Sequence, residues 1–418
     1  MAEKYRKPME KMFYFFFAVI FIYDYVYSSM IIFPIVQGMI SVLSFLPAEL
    51  IRPVAELIFN IRHLIIIPAI FTILFEAKGA VRKLILSLLL FVGWFYAVYW
   101  RDSYDMAVFS SLLLIVAAAG RDIKKIGKIA LLSGAGVICL AFILSRFGII
   151  EDLSWSRPGS TFARHAFGMN YCTDLSAHVM FLILLYMFLK QGNLKWWEYL
   201  GIGILSVINI LFVDGQISLF CVCAATAGCL VRALWRKNRW GLPGGIERIW
   251  KYGMVSSFGL LAALAFFFAI IYQSDPDIWY NRYYSLANRM YTNAILLKAF
   301  PFSWLGSEFQ QVGYGGSDGS LDYYFWVDCS YTRLYAMYGA IAFVIYMSLL
   351  TGIQVRLMKR KAYFSMFLMA VVAVDCLIEH HMIEVSFNTF LLLAFAELGK
   401  VVPVKEETDV GEKGVGYR

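Results

Sequence analysis

Four arginines, three carboxylate or imidazole groups and a set of aromatic rings lie in connections between apolar runs, where chemistry on a charged ligand could take place. Arg157 and Arg164 stand seven residues apart in GIIEDLSWSRPGSTFARHAFG (148–168), with His165 beside the second. Pro158 and Gly159 oppose a helix between them, so this loop can fold over a ligand with both guanidinium groups turned inward. A guanidinium is a planar fork of donors that matches phosphate or carboxylate oxygens in pairs. The chemistry implied is the holding of an anion at a membrane surface, against the plainer alternative that these arginines pair with Glu151, Asp152 or lipid headgroups. His165, as a lone histidine, suits either a proton-transfer group or a hydrogen-bonded structural one.

A second basic edge lies in the longest connection, 273–329. Its stretch RYYSLANRMYTNAILLKAF is compatible with a helix, which puts Arg282 and Arg289 on nearly the same face, two turns apart. Trp279, Tyr284, Trp304 and Trp326 of this loop are flat faces on which sugar rings stack, although Trp and Tyr also gather at membrane interfaces for reasons of solvation. The loop ends at Asp328, at the lip of the following helix. There a carboxylate could take a proton from an acceptor hydroxyl, or simply cap the helix.

The third connection, IEHHMIE, carries Glu379, His380, His381 and Glu384, with Asn388 beyond. Two histidines and two carboxylates resemble a metal-ligand set, but adjacent histidines on a turn tend to diverge and HExxH spacing is absent. No metal and no cofactor is assigned, and a polar hinge lining the outer cavity is the preferred reading. Asp24, Asp174, Asp214 and Asp375 lie in or beside apolar runs. A charge at mid-span costs roughly 2.5–3.5 kcal/mol, so Asp24 and Asp174, the two read as well inside a span, need partners or a proton-relay role.

The elements that must position these groups are membrane helices. Of the 418 residues 61% are hydrophobic and 16% charged, with a mean hydropathy of +0.67, which excludes a set of soluble domains. Twelve segments are apolar enough for a span: 13–33, 54–75, 84–100, 106–120, 127–147, 169–190, 198–214, 216–234, 253–272, 330–354, 363–379 and 383–398. The stretch 34–47 reads as re-entrant or interfacial. The expectation is an all-α polytopic transmembrane domain over 1–400, with outer loops at 148–168 and 273–329 and a charged tail at 401–418.

Placing both termini in the cytoplasm puts 27 of the 37 basic residues on that side. Of the ten left outside, Lys298 is the sole lysine, so arginine persists where lysine is excluded. The net charge of +8 is thus a topology signal and does not indicate nucleic-acid binding. The seven cysteines show no CxxC pair or zinc-like spacing and read as small packing residues.

The order of these features resembles the bacterial polysaccharide polymerases of the Wzy type and the related O-antigen ligases. RHAFGMN matches the basic residue and glycine-asparagine helix start of that superfamily at Arg164, Gly168 and Asn170. NRMYTNAILLKAFPFSWLG matches its arginine, proline and glycine at Arg289, Pro301 and Gly306, and DCSYTRLYAMYG supplies Ser330, Tyr331 and Gly339. Asp328 stands where the ligases carry histidine, which favours polymerase over ligase.

The resemblance implies a GT-C-like, metal-independent enzyme of the bacterial cell membrane. It would join polyprenyl-diphosphate-linked oligosaccharide repeat units, donor and acceptor both embedded in membrane lipid, into a surface polysaccharide. Arg157, Arg164, Arg282 and Arg289 would then bind the diphosphate, and Asp328 would act as base, with His165 and Glu379 in reserve. A flippase and a chain-length regulator would be its protein partners. The competing readings are a flippase for lipid-linked oligosaccharide and an O-antigen-type ligase.

Overall fold

The computed structural model describes residues 2–31, 63–99, 107–156, 162–238, 244–274, 284–309, 311–313, 315–316 and 325–399. The proposed piece at 34–47 and the tail at 401–418 lie outside the described residues. Among those described, the chain forms α1 (Ala2–Tyr27), α2 (His63–Glu76), α3 (Ala80–Tyr99), α4 (Ala107–Ala117) and α5 (Ile123–Arg146). A short antiparallel ribbon follows, β1 (Ser154–Ser156) with β2 (Ala163–His165). Then come α6 (Cys172–Leu189), α7 (Trp196–Val213), α8 (Gln216–Asn238), α9 (Gly244–Val255), α10 (Ser257–Ser274), α11 (Tyr284–Ala299), α12 (Ser330–Lys359) and α13 (Tyr363–Ile378).

Six of these, α3, α5, α6, α7, α8 and α12, are long and apolar enough to cross a bilayer, and the bent pair α9–α10 makes a seventh if taken as one span. The protein is an all-α polytopic membrane protein. The apolar segments read at 13–33, 54–75, 106–120 and 363–379 fall on α1, α2, α4 and α13, which lie outside that length-and-composition criterion.

Contacts sort the connections into two ends of the bundle. At one end, α1 finishes against the loop before α6: the Met30 amide donates to the Gly168 carbonyl at 2.9 Å, and the Asn170 amide to Ser28 at 3.0 Å. The second long loop joins there through the Gly316 amide and the Asn170 carbonyl, 2.8 Å apart. At the opposite end, Asp122, the N-cap of α5, runs beside Glu397, and buried Arg121 pairs with Glu76 at 2.7 Å. Lysine-rich connections around Lys83, Lys124 and Lys195 occupy that second end, while Arg146 and Arg164 occupy the first. Among the described residues, lysine-rich connections thus share one end and Arg146 and Arg164 the other.

The last apolar segment, 383–398, departs from the expected helix. From Glu379 to Asn388 the chain makes irregular turns, and Thr389–Ala394 is a 3-10 helix. Non-helical backbone at membrane depth is tolerated only inside protein, where neighbours replace the missing hydrogen bonds. Here the whole stretch is nearly buried. Arg356 Nη1 donates to the Leu393 and Ala394 carbonyls at 2.6 and 3.0 Å, its Nη2 to Ala396 at 2.7 Å, and Asn388 Nδ2 to Met382 at 2.8 Å. An apolar run carries no sign of this arrangement, because its hydropathy is the same whether its carbonyls bond along their own helix or to a neighbouring arginine.

A second break lies inside α12, where Gly339 takes φ 82°, ψ 178°. Residues 303–307 of the long loop dock against it: the Ser307 amide donates to Ala336, Ala340 to Ser303 and Ile341 to Trp304, at 2.9, 2.9 and 3.2 Å. The Tyr96 hydroxyl bonds the freed Tyr338 carbonyl. This part of the loop, expected outside the membrane, therefore reaches about 14 Å along α12 from Ser330, nine residues at 1.5 Å each.

Gly306 and Gly339 both need a positive φ, and a Cβ on either would meet the other's strand of backbone at 2.0–2.3 Å. Replacing either by alanine should therefore cost more than about 2 kcal/mol. Thermal melting of the detergent-purified protein checks this, with Gly203→Ala, where a Cβ meets open space, as the comparison.

Candidate active site

Three connections far apart in sequence converge at the end of the bundle that carries the arginines. α11 presents Arg289, half-buried, to the start of α12 and the end of α13. Its Nε lies 3.7 Å from Asp328 Oδ2 and donates to the Ile378 carbonyl at 3.2 Å, while Nη2 lies 3.5 Å from Glu379 Oε1. One guanidinium thus stands between two carboxylates from separate connections.

The local fold fixes those carboxylates. Cys329, rather than Asp328, is the N-cap of α12, and it makes no side-chain cap bond. The capping alternative for Asp328 is thereby overturned: its carboxylate points to Arg289 instead. α13 ends at Glu379, whose extended backbone turns the chain out of the helix. Ser330 clamps the turn, its Oγ donating to the Glu379 carbonyl at 2.5 Å and accepting from the Met382 amide at 3.3 Å. Thr332 Oγ1 donates to Asn293 Oδ1 at 2.8 Å and ties α12 to α11 on the same side.

Burial raises the pKa of both carboxyl groups, and Arg289 opposes that rise in each. For Glu379, whose side chain is 5% exposed, the result is a pKa raised to about 7. A buried carboxyl poised near neutrality beside a cation suits proton transfer. Asp328 and Glu379, both read from the sequence as candidate bases, thus face the same guanidinium.

Arg164 reaches the same region from β2. Its buried guanidinium donates to the Val213 carbonyl at 3.2 Å and the Asp214 carbonyl at 3.4 Å, with Asp214 Oδ2 at 3.8 Å. It therefore closes the end of α7, where Asp214 adopts a left-handed conformation, and its charge is still felt at Glu379. The suggested pairing of Arg164 with Glu151 or Asp152 does not form. Asp152 is taken by Arg146, by the Phe167 amide at 2.7 Å and by His165 Nδ1 at 3.0 Å.

His165 follows Arg164 on a strand and so faces the other way. It is held by Asp152 and stacked on Phe167, away from the Arg289 cluster.

Trp326 borders the cluster, its ring edge-on to His380 at 5.4 Å and under the Arg333 guanidinium at 5.1 Å. Trp304 does not join it, being pinned beside Gly339 deep along α12. Tyr284 opens α11; its side chain, like Arg157, Arg282 and Trp279, lies outside the described residues.

Sequence reasoning treated Asp174 as a charge well inside a span. It lies in the first turn of α6, at the site end, 3.9 Å from His381 Nε2. The fully buried acid is instead Asp375, one turn before Glu379. Arg333 was also passed over, and its one signal was membership of the few basic residues outside the lysine-rich connections. His380 and His381, expected to diverge, have ring centroids 4.1 Å apart.

Comparison with family models, curated proteins and solved structures finds nothing similar to this chain.

Proposed function

We propose that this protein is a polymerase that joins polyprenyl-diphosphate-linked oligosaccharide repeat units into a surface polysaccharide at the outer face of a bacterial cell membrane. The observation that carries this reading is Arg289 set between Asp328 and Glu379, at the end of a membrane bundle where arginine displaces lysine. Transfer breaks the bond between the donor's anomeric carbon and its diphosphate oxygen and forms one from that carbon to an acceptor hydroxyl oxygen. The hydroxyl proton goes to a base, and the polyprenyl diphosphate leaves carrying the electron pair.

Each demand has a candidate group here. Arg289, with Arg164 behind it, stabilises the charge that grows on the departing diphosphate. Glu379 accepts the proton, with Asp328 as the second carboxylate. At rest Arg289 is neutralised by the two carboxylates. A diphosphate arriving there takes over the guanidinium, and Glu379 loses part of the attraction that holds its pKa down, so the base strengthens as the leaving group is seated. Trp326 offers a ring face to a sugar at the rim.

Deleting the gene should leave single lipid-linked repeat units exposed on the outer face and no long polymer, read by gel and mass spectrometry of extracted glycolipids. Units confined to the cytoplasmic leaflet would favour a flippase, and long polymer still on its carrier a ligase. Those accumulated units are then the substrate for an assay in vitro. Arg289→Ala should lose at least 100-fold in rate at unchanged protein level, on the order expected for one stabilising donor. Arg289→Lys should recover only part of this, because the fork is lost.

The pH dependence follows from the direction of the Glu379 shift. With its pKa raised to about 7, the carboxyl keeps its proton in mild acid, so kcat/KM should climb about tenfold between pH 6 and 8. Glu379→Gln should flatten that limb as well as lower the rate. A limb unchanged in Glu379→Gln would assign the base elsewhere.

A further inference from the structure

Beside the Arg289 pair lies a second cluster that the proposed reaction leaves unused. His380 and His381, with Asp174 from α6, place one ligand-type atom each within 4.8 Å of one another. His381 is fully buried, and among the described residues neither of its ring nitrogens has a hydrogen-bond partner, nor does the Nδ1 of His380. Buried imidazole nitrogens are ordinarily satisfied, so such orphans call for a partner of another kind.

The ring of His381 is already fixed. It stacks on Phe387 with centroids 3.7 Å apart, and His178 covers the other face of Phe387 at the same separation. The Ser330 clamp on Glu379 and Met382 sets the backbone between, which is what turns two adjacent imidazoles toward one side.

We infer that Asp174, His380 and His381 bind a divalent transition cation of the zinc class. The proposal goes beyond the polymerase reading and does not depend on it. Three atoms no more than 4.8 Å apart surround a centre at most about 2.8 Å away, and a bound zinc ion needs about 2.0–2.1 Å. A contraction of less than roughly 1 Å in side-chain position closes the site. Two imidazoles and one carboxylate suit zinc and its neighbours and do not suit magnesium or calcium, which prefer all-oxygen sets.

The charges around the site agree. Asp174 feels Glu379, Glu384 and Asp328 as well as Arg333, and Glu379 feels Arg289 and Arg164. The alternative trio of Asp328, Glu379 and His380 also has ligand spacing. Arg289 already fills the place of a cation between those two carboxylates, so the Asp174 side is the one assigned. Asp174, His380 and His381 would hold the ion as three protein ligands.

The test is metal binding by the full-length detergent-purified chain, carrying a tag without histidine, after chelation and dialysis against zinc ion alone. Mass spectrometry of the metal should find close to one zinc per chain in the unmodified protein and in His63→Asn, a histidine outside the cluster. Asp174→Asn and His381→Asn should each bind at least tenfold more weakly. Zinc should also raise the melting temperature of the unmodified chain while magnesium does not, a reading independent of whether the variants fold. No zinc above background in the unmodified protein, equal zinc in His381→Asn, or an equal melting shift with magnesium would each overturn the assignment. The polymerase reading fails separately, through the glycolipids of the deletion strain.

Discussion

Hydrocarbon offers the backbone no hydrogen bonds, so wherever this chain leaves the α-helix at membrane depth another part of the protein must supply them. The break at Gly339 is met by residues 303–307, which return three hydrogen bonds to α12 and use Tyr96 for a fourth. The stretch after α13 is met by Arg356 and Asn388. In both places irregular backbone is obtained by spending side chains and loop segments that a plain bundle would not need. The gain is positional: a carboxylate at the end of α13 and another at the start of α12 are brought to one arginine.

Electrostatics at that point is a balance and not a simple ion pair. Removing Glu379 from water raises the energy of its charged form more than Arg289 lowers it, which leaves the pKa raised to about 7. The group can therefore change state at little cost when its surroundings change. Arg289 is similarly divided between two carboxylates and the Ile378 carbonyl, at 3.7, 3.5 and 3.2 Å. It is held in place without being committed to either acid.

Much of this was legible in the sequence. The six long helices α3, α5, α6, α7, α8 and α12 are announced by apolar runs, and the separation of lysine from arginine anticipates two ends among the described connections. Arg164, Arg289, Asp328 and Glu379 were marked because charges beside apolar runs are costly and so have a purpose. What could not be read was direction. Alternation on a two-stranded ribbon sends His165 away from Arg164, but nothing in SWSRPGSTFARH declares a ribbon. Trp304 looks like any loop aromatic until Gly339 opens a helix to receive its carbonyl. The final apolar run had the composition of a helix, and only Arg356, thirty-seven residues before Leu393, reveals that its carbonyls are bonded elsewhere. Asp174 and Asp375 were misjudged for a related reason: depth in a span depends on where the helix begins, and boundaries are the least certain part of any pattern.

The segment from Glu379 to Glu397 joins the two ends of the bundle with only a short 3-10 helix, Thr389–Ala394, as its regular part, and this makes it unlike the long helices around it. A helix holds its register internally, so damage at one terminus frays a turn and stops. This segment takes its register from what grips its two extremities: Ser330 and Arg289 near Glu379, and Arg356, Arg82 and Arg121 around residues 393–397. Arg356 and Arg82, at the lysine-rich end and far from the paired acids, thus anchor the same segment that begins at Glu379.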